Sequence, residues 1–237
     1  MQFSTEKTKE FKEVMKAISS ITEEVTFTAN KDGMHFQGMD PSHVCMMNVI
    51  MKAEDFETYE CAEEITFGIR FEEFGKIVDR AKSEHLFFGI TKQYMTVKIG
   101  KTSFKIRLTK GDTMSPIPKI ELNTKFQTDP ATFLRAMGDV KIMSNYFTVK
   151  ALKEEGLIEI TGKGDGGNAQ IRFEGKSDVD GTSGQSDYPI EYTEPILRAM
   201  KNRPYIAAEF ANEKPLRLML DTGVGSMNFF VAPRIPQ

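Results

Sequence analysis

Three side chains that could do chemistry together stand within four positions of one another: Asp40, Ser42 and His43, in the stretch GMDPSHVCMMNVIM at residues 38–51 of a 237-residue chain. A carboxylate, a hydroxyl and an imidazole are the parts of a nucleophilic relay in which the imidazole takes the hydroxyl proton. The spacing argues against that use. Ser42 and His43 are neighbours, and in an extended segment neighbouring side chains diverge, so the base does not reach the hydroxyl. Asp-Pro also opens turns, with the carboxylate accepting from nearby main-chain amides. The trio is expected to be a turn that leads into an apolar strand.

Other short motifs dissolve in the same way. Asp221-Thr222-Gly223 matches the aspartic-protease triplet, but that chemistry needs two carboxylates sharing a proton, and one copy would require a symmetric dimer. Lying between LRLML and MNFFV, DTGVGS reads as a glycine-rich hairpin turn. Gly100-Lys101-Thr102 resembles the end of a phosphate loop, but Met95 stands where that motif needs glycine. GKGDGGN at residues 162–168 precedes a strand, so it offers no helix N-terminus to a phosphate. His35, His43 and His85 lack HExxH or CxxC companions. No catalytic residue, metal or cofactor is assigned, and no enzyme is expected.

Composition bounds the rest. Hydrophobic residues make up 40% and charged residues 27%, as in an ordinary globular chain. No run approaches the roughly 18 apolar residues of a membrane span. The start MQFSTEKTKEF is charged and lacks an apolar leader core, so no secretory signal is expected. Cys45 and Cys61 are too few for a disulfide framework, which points to a reducing compartment. A net charge of -3 excludes coating nucleic acid by bulk charge, though not by one basic face.

The elements that would position these residues recur. TKEFKEVMKAISSI places Phe11, Val14, Met15, Ile18 and Ile21 at helical spacing, and a strand pattern follows. DPATFLRAMGDVKIM begins a second pass, in which Phe133, Met137, Val149 and Ala151 repeat Phe11, Met15, Phe27 and Ala29 at an offset of 122 residues; one insertion then sets Gly156 opposite Gly33. Each half reads as helix, strands, helix, strands, with helices expected at 4–22, 71–82, 130–141 and 193–203. The class is α+β: two repeated domains, 1–110 and 124–237, each with antiparallel sheets and two helices on one face. Residues 111–123 contain two prolines and few helix formers, and read as an extended connector. Over the expected helix bounds there are twelve basic residues against eight acidic ones, so the remainder of the chain is acidic. Helices sharing one face could follow a phosphate backbone by charge alone, without sequence preference.

GMDPSHVCMMNVIM, the repeat, the connector and the ending NFFVAPRI together resemble sliding clamps of the proliferating cell nuclear antigen family, along the whole chain. The most specific parts are Met-Asp-x-Ser-His-Val near position 40 and Ala-Pro-Arg-Ile near the end. The resemblance implies three chains closing a ring, sheets outside and helices within, that encircles duplex DNA and tethers DNA polymerase, a clamp loader, ligase and nucleases through a short docking peptide. It implies DNA-facing roles for Lys9, Lys12, Lys16, Lys76, Arg80, Arg135, Arg198 and Lys201. It implies a peptide groove formed by Met39, His43, Val44, Met46, Ile117, Ile120, Pro215, Phe230, Ala232 and Pro233. The subunit interface would pair an edge strand at 103–109 with one at 169–177, using Phe104, Lys105, Ile106, Arg107 and Leu108 against Ile171, Phe173 and Glu174, with Asp178 adding negative charge. Glu13 and Asp79 fall where relatives often carry lysine, the connector is poor in acid, and the tail stops at Gln237.

Three other readings stay open: a subunit of a heterotrimeric or checkpoint clamp, a hydrolase using Asp40 and His43 or Asp221, and a plain sequence-independent DNA-binding domain. A compact chain of this family is expected in the cytoplasm if archaeal and in the nucleus if eukaryotic, with no membrane partner.

Overall fold

The computed structural model describes residues 1–111, 117, 119–174 and 184–234. They fall into two units. One holds Met1–Pro41, Met47–Ile117 and Asp221–Met227; the other holds Ser42–Met46, Pro118–Leu220 and Asn228–Gln237. Each unit thus takes a short segment from the other half of the chain.

In the first unit, period-two alternation writes the strands and three- to four-residue spacing writes the helices. In chain order these are β1 (Gln2–Thr5), α1 (Thr8–Ser19), β2 (Glu24–Asn30), β3 (Gly33–Met39), β4 (Cys45–Lys52), β5 (Thr58–Glu60), β6 (Ile65–Arg70), α2 (Phe71–Arg80), β7 (Leu86–Ile90), β8 (Tyr94–Ile99) and β9 (Thr102–Arg107). One antiparallel sheet runs β5-β1-β7-β8-β9, and a second run is β4-β3-β2-β6. Phe88 of β7 centres the core, its ring 4.4 Å from Phe3, 5.2 Å from Phe11 and 6.3 Å from Phe74. One ring therefore fastens both helices and β1 to the sheet, and each such pair adds about 0.5–1.5 kcal/mol beyond its buried area. The β2–β3 turn requires glycine: Gly33 has φ +145°, and a Cβ there would lie 2.2 Å from the Met51 carbonyl oxygen.

The second unit contains β10 (Thr124–Thr128), α3 (Pro130–Lys141), β11 (Tyr146–Leu152), β12 (Leu157–Gly164), β13 (Gly167–Glu174), β14 (Gln185–Pro189), α4 (Ile190–Met200), β15 (Ile206–Phe210), β16 (Leu216–Asp221) and β17 (Ser226–Val231). Its strand orders are β10-β15-β16-β17 and β13-β12-β11-β14. Phe133 of α3 now centres the aromatic core, 6.0 Å from each of Phe126, Phe147 and Phe173. Asp129 caps α3, accepting from the amides of Ala131 and Thr132 at 3.3 and 2.9 Å, with Pro130 in the first turn, where no donor is needed.

The repeat holds at the level of topology. The bounds of α1 and α3, and of β2 and β11, are displaced by the same 122 residues. The order β1-β7-β8-β9 recurs as β10-β15-β16-β17, and β4-β3-β2-β6 as β13-β12-β11-β14. Phe11, Met15, Phe27 and Ala29 are buried, as are Phe133, Met137, Val149 and Ala151. The α+β class with antiparallel sheets and four helices is what the sequence pattern leads one to expect.

Three of the four helices depart from their expected bounds, α1 ending at Ser19 and α2 at Arg80. α1 begins at Thr8, not Ser4, because Gln2–Thr5 pairs with β5 and β7 as a strand. α4 spans Ile190–Met200, three residues ahead of the expected range, and carries Pro195 inside rather than in its first turn.

Candidate functional site

The helices carry the cations assigned to DNA, and half of those cations are engaged within their own unit. Lys12 of α1 reaches the end of α2, where its Nζ donates to the carbonyls of Asp79 and Ala81 at 2.8 Å each and stands 3.8 Å from the Asp79 carboxylate. The last carbonyls of a helix lack helical partners and carry partial negative charge, so an ammonium is held there. Lys16 lies 3.4 Å from the same carboxylate, and Lys76 lies 3.3 Å from Glu72 one turn back in α2. In the second unit Glu194 receives Lys141 of α3 at 2.6 Å and Arg198 one turn along α4. The Lys141 hydrogen bond, then Arg198, outweigh partial burial and hold the Glu194 carboxyl below its ordinary value. Lys9, Arg80 and Lys201 are exposed and make no ion pair among the described residues. Arg135 is exposed too, near enough to Asp129 to help lower its pKa.

The charge count changes with the true bounds. The four helices hold eight basic and eight acidic residues, so they are neutral, not basic as their longer expected ranges implied. Lys7, Lys82, Lys201 and Arg203 lie just beyond the helix ends, and Glu191 lies within α4.

The residues assigned to the peptide groove form two groups in the second unit. Ala232 donates its amide to the Val44 carbonyl at 2.8 Å, and both residues are half-buried, as is Pro233. Beside them, Met46 and Phe230 are 7% and 8% exposed, which makes them floor and not wall. The Arg217 guanidinium lies 5.6 Å over the Phe230 ring and donates to Asn228 and Glu209. Ile120 and Pro215 line an open cavity of about 740 Å³ with Lys119, Glu121, Asn212 and Lys214. Met39 and Ile117 belong to the other unit and are exposed. His43 is exposed, at φ +59°. Residues 112–116 and 118 of the connector lie outside the described residues.

Sequence reasoning overlooked Arg234. Its guanidinium sits 4.5 Å over the Tyr146 ring and its amide donates to the Asp187 carbonyl at 2.8 Å, so the chain beyond β17 is pinned to β11 and β14. An arginine between Pro233 and Ile235 was the available signal.

The strands assigned to the subunit interface, β9 and β13, are each the last strand of a sheet, with one row of main-chain donors and acceptors left over. Lys105, Arg107 and Glu174 are exposed; Phe104, Leu108 and Ile171 are half-buried; Ile106 and Phe173 face the cores. Residues 175–177 and Asp178 lie outside the described residues.

The catalytic look-alikes are turns. The segment holding Ser42 and His43 is a bend and not extended, the left-handed φ of His43 being one that histidine tolerates better than most residues. Asp221 accepts from the Gly223 amide at 2.8 Å in the β16–β17 hairpin, and Gly100 turns β8 into β9. Glu6, Glu57 and His85 bring one ligand atom each within 4.8 Å of one another; all three are exposed, and each ring nitrogen of His85 faces a carboxylate, at 3.3 and 3.5 Å.

Comparison with known proteins agrees with this geometry. The family model for the N-terminal domain of proliferating cell nuclear antigen matches residues 2–95. The chain is 36% identical to a DNA polymerase sliding clamp of Cenarchaeum symbiosum over 239 residues, covering 95% of both chains. It is 34% identical to that of Nitrosopumilus maritimus over 237 residues, again 95% of both. Its fold is similar to the solved PCNA of Thermococcus kodakaraensis, with TM-score 0.92 and 21% identity over 98% of this chain and 99% of that one. It is also similar to A. fulgidus PCNA solved with the C-terminal region of FEN-1 bound, with TM-score 0.90 and 21% identity over 100% and 99%.

Proposed function

The chain belongs to the proliferating cell nuclear antigen family of DNA polymerase sliding clamps, and on that premise we propose that it is a DNA polymerase processivity factor with no catalytic chemistry of its own. Three copies close a ring around duplex DNA, each contributing an N-terminal domain (1–110), a connector (111–123) and a C-terminal domain (124–237). The observation that carries this reading is the repeated strand order, which leaves β9 free at the edge of one unit and β13 at the edge of the other. Two different free edges on one chain suit a head-to-tail contact, and such contacts close into rings. Arg107 on β9 complements Glu174 on β13, while Lys105 leans over the Tyr94 ring of β8.

DNA contact falls to Lys9, Arg80, Arg135 and Lys201, with Lys12, Lys16, Lys76 and Arg198 contributing from within their ion pairs. Contacts of this kind are independent of sequence and sensitive to salt. Val44, Ala232 and Pro233 over a floor of Met46 and Phe230, with Ile120 and Pro215, form the groove that receives the docking peptide of a polymerase, clamp loader, ligase or nuclease. Aromatic or aliphatic anchors fit such a lining, and its methionines suit several ligands. His43, in the same unit, completes its rim. The relatives are archaeal, which supports a cytoplasmic site of action, and no described helix is long and apolar enough to cross a membrane.

Primer extension by an archaeal replicative polymerase tests the function. Adding the chain and a clamp loader lengthens the products made in one binding event. Products of unchanged length, with the loader active on another clamp, would overturn the reading. Sizing the isolated chain separates a homotrimer from a subunit of a mixed ring, which would run as a monomer.

A further inference from the structure

Residues 85–111 hold Lys92, Lys98, Lys101, Lys105, Arg107 and Lys110 and not one carboxylate, in a chain whose net charge is -3. None of the six is ion-paired with a described carboxylate. The register sorts them. Phe87 lies opposite Lys98 and Lys98 opposite Ser103; Gly89 lies opposite Thr96 and Thr96 opposite Lys105; Tyr94 lies opposite Arg107. These residues share one face of β7–β8–β9, while Phe88, Val97 and Ile106 point into the core. On that outer face Phe87 is 47% exposed, an unusual position for a large aromatic ring. Beside it nothing lies within 4 Å of where a Gly89 side chain would start, and Lys105 stands 4.2 Å over the Tyr94 ring.

The equivalent strands of the other unit show what a neutral version looks like. There Glu209 of β15 receives Arg217 at 3.2 Å and Lys125 at 2.9 Å, and Arg217 also donates to Asn228. Among the described residues the first unit has no such acid. Its carboxylates on this sheet lie toward β5, at Glu57 and Glu60, and bound the basic area on that side.

We infer that the outer face of β7–β8–β9 is a platform for single-stranded DNA, with phosphates on Lys98 and Lys105 and a base stacked on Phe87. Unpaired cations alone would accept any polyanion. The exposed ring among them selects an unpaired base, since every base offers a π-face and a duplex hides it. A flat sheet face also has no element that enters a groove. The platform lies on the sheet and not on the helices, so it is separate from the surface proposed to face duplex DNA.

Fluorescence anisotropy with a fluorescein-labelled oligo(dT) of about 12 nucleotides, titrated with the full chain, tests it. Binding is expected at low salt, with a slope of log K against log salt near about -1.4 for two phosphate contacts. Phe87→Ala weakens it by about 5- to 150-fold, one stacked base, and Lys98→Gln reduces the slope by about 0.7. Lys163→Gln, on exposed β12 of the other unit, leaves it unchanged. Both platform residues lie off the β9 edge, so sizing and melting curves should match the parent; if Phe87→Ala melts early, Phe87→Leu and Lys98→Gln decide. No binding at low salt overturns the inference. So does binding that survives both substitutions, falls as far with Lys163→Gln, or is displaced by polyglutamate with Phe87→Ala silent.

Discussion

The amide of Ala232 donates to the carbonyl of Val44 across 2.8 Å, which zips the chain after β17 to the chain before β4. Because this bond uses only main-chain atoms, the two side chains are left to form a surface. Val44→Asp should therefore keep the fold and lose the docking peptide, with affinity falling at least about tenfold as a hydrophobic anchor meets a charge. Met46→Asp should behave differently: at 7% exposure it buries an unpaired carboxylate and destabilises by several kcal/mol. Calorimetry with a peptide carrying aromatic and aliphatic anchors, alongside melting curves, separates the two outcomes. Normal peptide binding by Val44→Asp would remove that residue from the groove.

Lys12 is expected to matter more for stability than for DNA. Its ammonium makes two hydrogen bonds to the carbonyls that close α2. Lys12→Met should lower unfolding free energy by about 1.5–3 kcal/mol, read from urea denaturation. Its effect on DNA retention should be smaller than that of Arg80→Glu, whose side chain is exposed and makes no ion pair among the described residues. A Lys12 variant with unchanged stability and the larger DNA defect would contradict this ranking.

Acid should loosen the helices of the second unit first. Partial burial raises the pKa of Asp129, but hydrogen bonds from the Thr132 hydroxyl and the Thr132 and Ala131 amides overcome it, and Glu194 is lowered by Lys141 and Arg198. Both folded pKa values lie below the unfolded ones of about 3.9 and 4.3. The stabilisation is thus complete above those values and disappears as pH falls through the folded ones. Asp129→Ala should cost about 1 kcal/mol at pH 7 as a lost helix cap. Asp129→Asn with Glu194→Gln should flatten the dependence of urea midpoint on pH below about 4. An equally steep acid limb in the double variant would place the sensitive carboxylates elsewhere.

Assembly should respond to charge at one free edge. Arg107→Glu sets a carboxylate toward Glu174 of a neighbouring copy and should weaken self-association by about tenfold or more. Sedimentation across a concentration series reads this, and an unchanged assembly would exclude the β9–β13 pairing.

The repeat was legible in sequence because its buried positions are spaced by secondary-structure period: Phe11 and Phe133 need only a helix to become core. The starts of helices were less so. Ser4 and Thr5 fit the start of a helix, and only their pairing with Thr58, Phe87 and Leu86 shows that they belong to a strand. Pro195 suggested a helix start, yet α4 tolerates it inside, where one main-chain donor is lost. Those boundary errors made the helices look basic, since Lys201 and Arg203 lie outside α4 and Glu191 inside it. In the groove, residue types were legible but depth was not: Cys45–Val49 of β4 and Phe229–Val231 of β17 are buried without a break, so no alternation in the sequence marks Met46 and Phe230 as floor. The engagement of Lys12 with the end of α2 is a tertiary contact with no local signature.

Retention on circular DNA tests the central claim most directly. The chain is loaded on a nicked plasmid by a clamp loader, freed of unbound protein by gel filtration, and half the sample is cut once with a restriction enzyme. A ring that holds DNA by encircling it stays on the circle at high salt and slides off the linear form. Equal retention on both forms, or release from both as salt rises, would mean that the chain binds DNA by contact alone and is not a clamp.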